Sequence, residues 1–311
     1  MLDVDFQKMS TLELVCAHLQ TTPNTIRSIL RAPERHYTRI VLSHRPGRQP
    51  RVVYETSPAA RRLHRSIAVA LEPALLAAQD HIQGFRKDHG IRSNAMMHAQ
   101  STDGCRSDVV VTADIRAFFD HVTIGQVRAM FSRLGAPDRA ALLLARICTL
   151  DLRLPQGGRA SPIISNLAIP ELDRALIALA PRARFSRYAD DLTFSGTLED
   201  CPSEKALARV LEAHGFSLRE RSYRFQHLRS GQVVNGLSLA SGRPSLTRRR
   251  RRAIDRLLNI GKRYGLEFAE YRSLEGQVNS IGGVDLDLWE TFRKRLDEVT
   301  VMDATEGDDP E

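Results

Sequence analysis

The sequence has few cysteines and no long hydrophobic run, and each absence excludes a class of protein. Its four cysteines are widely separated and show none of the paired spacings that indicate zinc ligands or a redox couple. No segment approaches the roughly 18 uncharged apolar residues of a membrane-spanning helix, and residues 1–5 are acidic where a secretion signal would be basic. The sequence therefore predicts a cytoplasmic protein with no membrane partner. We expect reduced thiols in or near the core at Cys16, Cys105, Cys148 and Cys201.

Acidic residues are the minority among the charged ones. The chain has 45 lysines and arginines against 37 aspartates and glutamates, a formal net charge of +8. This balance favours a polyanionic partner such as nucleic acid. The hydrophobic share of 42% and the charged share of 26% are ordinary for folded proteins, so most of the 311 residues should fold.

No internal repeat is visible, and helical and strand-like patterns alternate. An arginine-rich turn at residues 45–48 separates two β-branched runs and predicts a hairpin. Gly135 should end one helix, and Pro170 should break another. Apolar spacing predicts helices over residues 11–30, 60–79, 124–134, 137–144, 203–214, 274–281 and 286–296, with a basic helix from Thr247. Strand-like runs lie at residues 39–42, 51–54, 108–115, 184–188, 192–195 and 233–237, so we predict an α+β fold.

Three aspartates lie at the ends of predicted strands. Asp114 closes an apolar run, and Asp190 and Asp191 stand between two short strands. Carboxylates on a strand end and a neighbouring hairpin tip can meet at one point. There they could hold two Mg²⁺ ions about 4 Å apart, as phosphoryl transfer from a nucleoside triphosphate requires. Taken singly, each acid is more simply explained as a polar turn or a strand-end cap.

The segments around these acids change that interpretation. They read Asp114-Ile115-Arg116-Ala117-Phe118-Phe119-Asp120, Leu154-Pro155-Gln156-Gly157-Gly158-Arg159-Ala160-Ser161-Pro162 and Tyr188-Ala189-Asp190-Asp191. In that order and at those intervals they resemble the palm motifs of reverse transcriptases, the RNA-directed DNA polymerases. The resemblance implies a nucleotidyltransferase with two Mg²⁺ ions, held by Asp114, Asp190 and the backbone carbonyl of Ile115. Asp191 would be a supporting carboxylate, which makes all three acids catalytic.

The resemblance also implies which residues contact the incoming deoxynucleotide. Ala117, Phe118 and Phe119 belong to this group, and Phe119 matches the aromatic gate whose ring would collide with a ribose 2′-hydroxyl. The alternative for the two adjacent phenylalanines is core packing, and at least one of them should have that role.

Further nucleotide contacts are implied on either side of the palm motifs. Gln156 and Gly157 match the segment under the incoming nucleotide, where glycine lets the backbone approach closely. Arg45 and Arg51 match the arginines with which the fingers hairpin grips the triphosphate, because a guanidinium suits phosphate. For Arg48, a solvated turn is an equally good explanation.

Two more segments resemble signatures of retron reverse transcriptases. Ser93-Asn94-Ala95-Met96-Met97-His98 fits Asn-Ala-x-x-His, and Val234-Asn235-Gly236 occupies the place of Val-Thr-Gly with asparagine for threonine. The resemblance implies nucleic-acid contacts at Asn94, His98, Tyr188, Asn235 and Gly236. For Asn94 and His98, a helix surface position or a packed histidine is the alternative.

The retron resemblance implies a definite substrate and product. Retron enzymes bind the folded noncoding RNA of their own locus (msr/msd). They prime from the 2′-hydroxyl of a guanosine and leave a branched RNA–DNA hybrid, msDNA. We therefore expect as partners the cognate RNA, its RNA–DNA product, deoxynucleoside triphosphates and an effector protein encoded nearby, in a system of antiphage defence.

One departure concerns proton donation. After Gly215-Phe216 the family usually has Asn-x-x-Lys, whose lysine is a candidate proton donor to pyrophosphate, but residues 217–224 contain no lysine. Arg221 or Arg224 could stabilise charge on the leaving group, although arginine is a poor general acid near neutral pH. We predict slower chemistry or proton donation by water.

A run of five arginines opens the last basic helix. These residues predict a helix that contacts the phosphates and 2′-hydroxyls of the RNA–DNA hybrid, with strong salt dependence. A solvated helix face is the alternative, but it explains five consecutive arginines poorly. The residues are Arg248, Arg249, Arg250, Arg251 and Arg252.

The resemblance as a whole implies a right-hand polymerase architecture with fingers, an antiparallel-sheet palm and a helical thumb. Three functions are compatible with it: a retron enzyme, another reverse transcriptase (group II intron-like, diversity-generating or defence type), and a decayed polymerase that only binds RNA. The intact acids argue against the last. We divide the chain into a helical lead-in (1–34), fingers (35–107), palm with interleaved fingers helices (108–240), basic helical thumb (241–302) and disordered acidic tail (303–311).

Overall fold

The computed structural model describes residues 5–42, 51–99 and 107–302, which separate into two compact units. Unit 1 holds the described residues of Met1–Gly90, Val111–Phe194 and Glu199–Arg224, and unit 2 those of Ile91–Val110, Ser195–Leu198 and Phe225–Glu311. Helices and strands are mixed, which confirms the α+β class. Arg45, Arg48, Cys105 and the acidic tail 303–311 lie outside the described residues.

The elements of the described residues follow in chain order. The α-helices are α1 (Leu12–His18), α2 (Pro23–Arg31), α3 (Pro58–Leu76), α4 (Ile91–Ala99), α5 (Phe118–His121), α6 (Ile124–Arg133), α7 (Asp138–Cys148), α8 (Ser161–Leu167), α9 (Pro170–Leu179), α10 (Glu204–Ala213), α11 (Arg248–Tyr264), α12 (Phe268–Asn279) and α13 (Leu286–Leu296). The strands are β1 (Tyr37–Leu42), β2 (Arg51–Thr56), β3 (Val109–Asp114), β4 (Arg184–Tyr188), β5 (Asp191–Gly196), β6 (Arg224–His227), β7 (Val233–Val234), β8 (Leu237–Ser238), β9 (Ser245–Leu246), β10 (Leu266–Glu267) and β11 (Val301–Met302). Short 3₁₀ helices lie at Phe6–Lys8, Pro33–Arg35 and Leu228–Ser230.

The strands of the described residues form four sheets. The largest has the order β4-β5-β3-β6, so β3 lies beside β5. β1 pairs with β2 in the antiparallel hairpin that the sequence predicted, and β7, β8 and β9 form a second antiparallel sheet. β10 and β11 pair in parallel. The neighbourhood of β3 and β5 is what positions the acids described below.

Local signals explain where several helices begin and end. Thr123 starts α6 with a capping box, and Gly135 follows the end of that helix with a φ of 92°, as predicted for a glycine stop. Pro170 begins α9 after α8 has ended, so the predicted break is present. The helical stretch predicted over residues 11–30 consists of two helices, α1 and α2, because Thr22 caps a new helix there.

The prediction of one strand over residues 233–237 is wrong. Asn235 and Gly236 have φ values of 47° and 77° and form a two-residue turn between β7 and β8. Asn-Gly is a favoured pair in such turns, because both positions need a left-handed backbone. The two residues therefore end one strand and begin the next.

Each unit buries its own apolar side chains. In unit 1 these include Leu71, Phe131 and Phe194, none of which is exposed. In unit 2 the core draws on β7, β8 and the three helices α11 to α13, with Ile254 and Phe292 among its members. Ile254 recurs with Leu258 on the side of α11 that faces the core, whereas four of the five arginines at the start of the helix are exposed.

The cysteines of the described residues are free thiols in or near the core. Cys16 and Cys148 are buried free thiols, and Cys201 is a half-buried one. Burial is the main cause that raises the pKa of Cys201 to about 11. Within the described ranges, none of the helices combines the length and apolar character needed to cross a membrane.

Candidate active site

Two acids are brought together by neighbouring strands of unit 1. Asp114 is the last residue of β3, and Asp190 lies in the two-residue turn that joins β4 to β5. The other turn residue, Ala189, has a φ of 58°. The backbone N–H of Ile115 donates to the carbonyl oxygen of Asp190 at 2.9 Å and ties the end of β3 to the turn. The structure thus holds both acids on backbone that is fixed by hydrogen bonds.

The electrostatics of Asp190 show that a second negative charge is close. Burial is the largest cause that raises the pKa of Asp190 above its ordinary value, and the charge of Asp114 raises the pKa further. The backbone N–H of Asp190 and the positive charges of Arg51 and Arg219 act in the opposite direction. A half-buried acid pair of this kind is stabilised by cations.

The donor chemistry of this pair fits Mg²⁺. Magnesium prefers oxygen ligands and is usually held by one or two carboxylates, with substrate phosphates and waters completing its shell. Within residues 5–42, 51–99 and 107–302, no group of three or more acidic, histidine or cysteine side chains is placed to hold a metal ion by itself. The carboxylates of Asp114 and Asp190 are oxygen donors of the kind that such an ion takes from a protein.

Asp191 occupies a different position from the other two acids. It is the first residue of β5 and is half-buried. Successive side chains of a strand point to opposite faces of the sheet. The side chain of Asp191 therefore points to the face opposite the one that the next residue of β5 occupies. The structure does not gather the three acids into one group, and the supporting role of Asp191 stays a prediction.

The cation that pairs with Asp114 is Arg219. One guanidinium nitrogen of Arg219 lies 2.8 Å from Oδ2 of Asp114. The sequence had directed attention to Arg221 and Arg224 in the same segment. Instead, Arg221 is exposed with a φ of 57°, and Arg224 is the exposed first residue of β6. Which arginine reaches the acid depends on the course of the loop along β3, and no local pattern specifies that course.

The two adjacent phenylalanines have different surroundings. Phe118 is 3% exposed and packs on Phe216, with ring centroids 5.9 Å apart, so it belongs to the core. Phe119 is half-buried and its ring centroid lies 6.4 Å from that of Phe85. Ala117 before them has a φ of 44° and caps the short helix α5. The geometry favours Phe119 over Phe118 as the residue that can meet a nucleotide.

The segment with Gln156 and Gly157 lies directly on the strand that begins at Arg51. The backbone N–H of Tyr54 donates to the carbonyl oxygen of Gln156 at 2.7 Å. Gly157 has a φ of 109°, and a Cβ there would clash with the carbonyl oxygen of Tyr54. Glycine is therefore required by both the backbone angle and the close approach. The structure thus packs the Gln156–Gly157 segment against β2, the strand that begins with Arg51.

A buried arginine beneath the acidic turn was not among the predicted site residues. Arg187 in β4 is fully buried, and its guanidinium donates to both carboxylate oxygens of Asp173 at 2.7 and 2.8 Å. It also donates to Oδ1 of Asn166 at 3.2 Å and to the carbonyl oxygen of Ala189 at 3.4 Å. His81 Nε2 lies 3.5 Å from the same carboxylate. The contact with Ala189 links this network to the residue that precedes Asp190 in the acidic turn.

A signal for this network exists in the sequence. Residues 184–188 are predicted as a short strand, and a charged side chain on the buried face of a strand needs a partner, because an unpaired buried charge is costly. The partner could not be identified, since Asp173 lies on a helix and Asn166 on another. The amide of Asn166 extends the network by donating to the carbonyl oxygen of Gly84 at 2.7 Å.

The two retron-like segments meet inside unit 2. Asn94 and His98, both on α4, have no exposed surface. The side-chain amide of Asn94 donates to Oδ1 of Asn235, at the turn that Gly236 completes, and His98 Nδ1 lies 2.8 Å from the hydroxyl of Ser195. In this conformation Asn94 and His98 pack inside the protein, which is one of the alternatives that the sequence allowed for them. Their contact with nucleic acid stays a prediction.

The remaining predicted nucleic-acid contacts lie at surfaces. Tyr188 is half-buried at the end of β4. The arginine run forms the first turns of α11, after the cap at Thr247, and four of its five members are exposed. Arg250 is half-buried and donates to the hydroxyl of Ser280 at 2.8 Å. Five cations at a helix N-terminus oppose the helix dipole, so this arrangement is costly without an anionic partner.

Comparison with known proteins gives consistent matches. The model of the family "Reverse transcriptase (RNA-dependent DNA polymerase)" matches residues 44–233. The chain is 31% identical to Retron Mx65 reverse transcriptase of Myxococcus xanthus over 74% of this chain and 58% of that protein. It is 25% identical to Retron Ec48 reverse transcriptase of Escherichia coli over 94% of this chain and 77% of that protein. It is 31% identical to Retron Mx162 reverse transcriptase of Myxococcus xanthus over 65% of this chain and 47% of that protein.

Proposed function

Because the chain belongs to the reverse transcriptase (RNA-dependent DNA polymerase) family, we propose that it copies an RNA template into DNA. The observation that carries the proposal is the convergence of Asp114 and Asp190 at the end of β3 and the tip of the β4–β5 hairpin. The family also implies a right-hand polymerase. We assign β3, β4 and β5 to the palm, the β1–β2 hairpin to the fingers and α11 to α13 to the thumb.

In the proposed reaction the residues have separate tasks. Asp114 and Asp190, with the carbonyl oxygen of Ile115, would hold two Mg²⁺ ions. When bound, Mg²⁺ supplies charge stabilisation at the attacking 3′-hydroxyl and the leaving pyrophosphate. Arg51, whose charge already acts on Asp190, would hold the triphosphate. The half-buried ring of Phe119 would exclude a ribose 2′-hydroxyl.

Primer extension on an RNA template with deoxynucleoside triphosphates tests this function. Asp190→Asn should abolish synthesis, because an amide replaces a charged metal ligand. Asp138→Asn makes the same change at an 83% exposed position on α7 and should leave synthesis unchanged. Wild-type synthesis by Asp190→Asn would refute the metal site. A wild-type protein that binds RNA but extends no primer would favour the scaffold alternative.

We further propose a retron-type enzyme. The support is the similarity to three proteins named retron reverse transcriptases and the hydrogen bond between the two retron-like segments at Asn94 and Asn235. The substrate would be the msr/msd RNA of its own locus, primed from an RNA 2′-hydroxyl, and the product a branched msDNA. The exposed arginines of α11 would bind the hybrid duplex through its phosphates. We place this activity in the cytoplasm, in antiphage defence with an effector protein.

Expression of the gene with its flanking DNA tests the retron assignment. A short DNA joined covalently to RNA is the expected product, and treatment with a debranching enzyme should release its 5′ end. If no such species forms while primer extension on a generic template proceeds, the enzyme is another kind of reverse transcriptase, such as an intron-like or diversity-generating one.

A further inference from the structure

Arg219 occupies a position on the catalytic carboxylate that a metal ion would need. Among the described residues, Oδ2 of Asp114, at 2.8 Å, is the one acceptor of its guanidinium. The backbone of Arg219 is fixed, because its N–H donates to the carbonyl oxygen of Asp114 at 2.9 Å. The hydroxyl of Ser222 accepts from the N–H of Asp114 at 3.0 Å and donates to the carbonyl oxygen of Arg219 at 2.7 Å. The main chain is held while the side chain makes a single contact.

The ion pair between Arg219 and Asp114 is weak enough for another cation to replace Arg219. The side chain of Arg219 is 43% exposed and that of Asp114 28% exposed, and ion pairs open to water are weak. A divalent ion bound to Asp114 would need the carboxylate oxygens and would lie close to the guanidinium, where like charges repel. A divalent ion at the Asp114 carboxylate therefore competes with Arg219 for Oδ2.

We propose that Arg219 is an exchangeable counter-ion of Asp114, which gives way to the divalent ion and then binds the triphosphate of the incoming nucleotide. The inference rests on the proposed polymerase function. Mg²⁺ held by carboxylates takes its other ligands from substrate phosphates, so the triphosphate comes to Asp114 with the ion. The backbone of Arg219 keeps the released guanidinium beside those phosphates, and charge-assisted hydrogen bonds to phosphate are strong.

Binding of Mn²⁺ to the full chain without nucleotide tests the first half, with the free-ion electron paramagnetic resonance signal as the measure. Arg219→Gln should bind Mn²⁺ about 2- to 5-fold more tightly than the wild type, since a competing cation is gone. Arg209→Gln removes the same charge from an exposed position on α10 and should bind like the wild type. Equal or weaker binding by Arg219→Gln would overturn the proposal.

Steady-state kinetics at saturating Mg²⁺ test the second half. Arg219→Gln should raise KM for deoxynucleoside triphosphate about 10-fold with a smaller change in kcat, because it removes binding energy common to the ground and transition states. Arg219→Lys, which keeps the charge, should recover most of the loss and guards against a folding defect. An unchanged KM would overturn phosphate binding by Arg219.

The failure of this proposal can be distinguished from failure of the proposed function. If Asp190→Asn is inactive while Arg219→Gln has wild-type Mn²⁺ affinity and KM, only the role of Arg219 is refuted. If neither the wild type nor Arg219→Gln binds Mn²⁺, and Asp190→Asn still extends primers, the metal site is refuted and the counter-ion with it.

Discussion

Replacing Arg187 by methionine tests two roles of this side chain, its contribution to the stability of unit 1 and its support of the acidic turn. The guanidinium is fully buried and donates to both carboxylate oxygens of Asp173. Removing it leaves Asp173, whose side chain is 4% exposed, as a buried acid that keeps His81 alone from this network, with its Nε2 at 3.5 Å. Breaking a buried pair in this way costs about 3–5 kcal/mol. We expect the free energy of unfolding in urea to fall by that amount near neutral pH.

The pH dependence of this loss follows from the pKa of Asp173. Burial would raise that pKa, but the charges and hydrogen bonds of Arg187 and His81 outweigh burial and hold it below its ordinary value. The contribution of the pair is therefore fully present above the unfolded value of about 3.9 and is lost as the pH falls through the folded value. In Arg187→Met the largest of the causes that lower the pKa of Asp173 is gone, so that pKa rises relative to the wild type. The deficit should then shrink on acidification from about pH 7 to about pH 5.

The double variant Arg187→Met/Asp173→Leu completes the test. Apolar residues of similar volume often replace a buried pair without loss of stability, so most of the free energy of unfolding should return. Primer extension should not return, because the hydrogen bonds from Arg187 to Asn166 and to the carbonyl oxygen of Ala189 stay absent. A double variant as unstable as the single one, or a fully active one, would contradict the reasoning.

Four other substitutions have defined outcomes. Gly84→Ala should lower kcat for primer extension strongly, because its Cβ would lie 2.6 Å from the backbone nitrogen of Ala189. Gly276→Ala, in contrast, has open space around the new Cβ in α12 and should stabilise the protein by about 0.5–1 kcal/mol. Burial lowers the pKa of His64, so its neutral form contributes stability that is complete above about pH 6.5 and is lost as the pH falls through the folded value. His64→Gln should flatten the decline in urea-derived stability between about pH 7 and about pH 5. Phe119→Val should raise ribonucleotide incorporation relative to deoxynucleotide by about 10-fold or more in competition assays, and an unchanged ratio would exclude the gate.

Much of the fold could be predicted because the signals are local. The cap at Thr123 and the glycine at Gly135 bound α6 within one residue of the prediction. The acidic turn at Asp190 follows from two short strand-like runs, residues 184–188 and 192–195, with Ala189-Asp190-Asp191 between them. The division of residues 11–30 into two helices was not predicted, because the apolar spacing continues across Thr22 and the cap there prevails over the spacing.

The contacts that support the site depend on long-range packing, which no local pattern specifies. Arg187 is separated by 14 positions from Asp173 and by 21 from Asn166. Arg219 reaches Asp114 across 105 positions because the loop after α10 runs along β3. Residue type indicates that such buried or paired charges need partners, but only the tertiary fold decides which partners they find.

The asparagine that departs from the retron threonine is explained by the same kind of contact. Asn235 has a φ of 47°, a left-handed conformation that asparagine tolerates and that a β-branched threonine strongly disfavours. Its carboxamide oxygen accepts from Asn94, 141 positions earlier, which a threonine hydroxyl on a shorter side chain would reach less easily. The two halves of the signature are therefore matched to one another in this chain. The departure at Asn235 is compatible with the turn and with its contact to α4, so it does not weaken the proposed retron assignment.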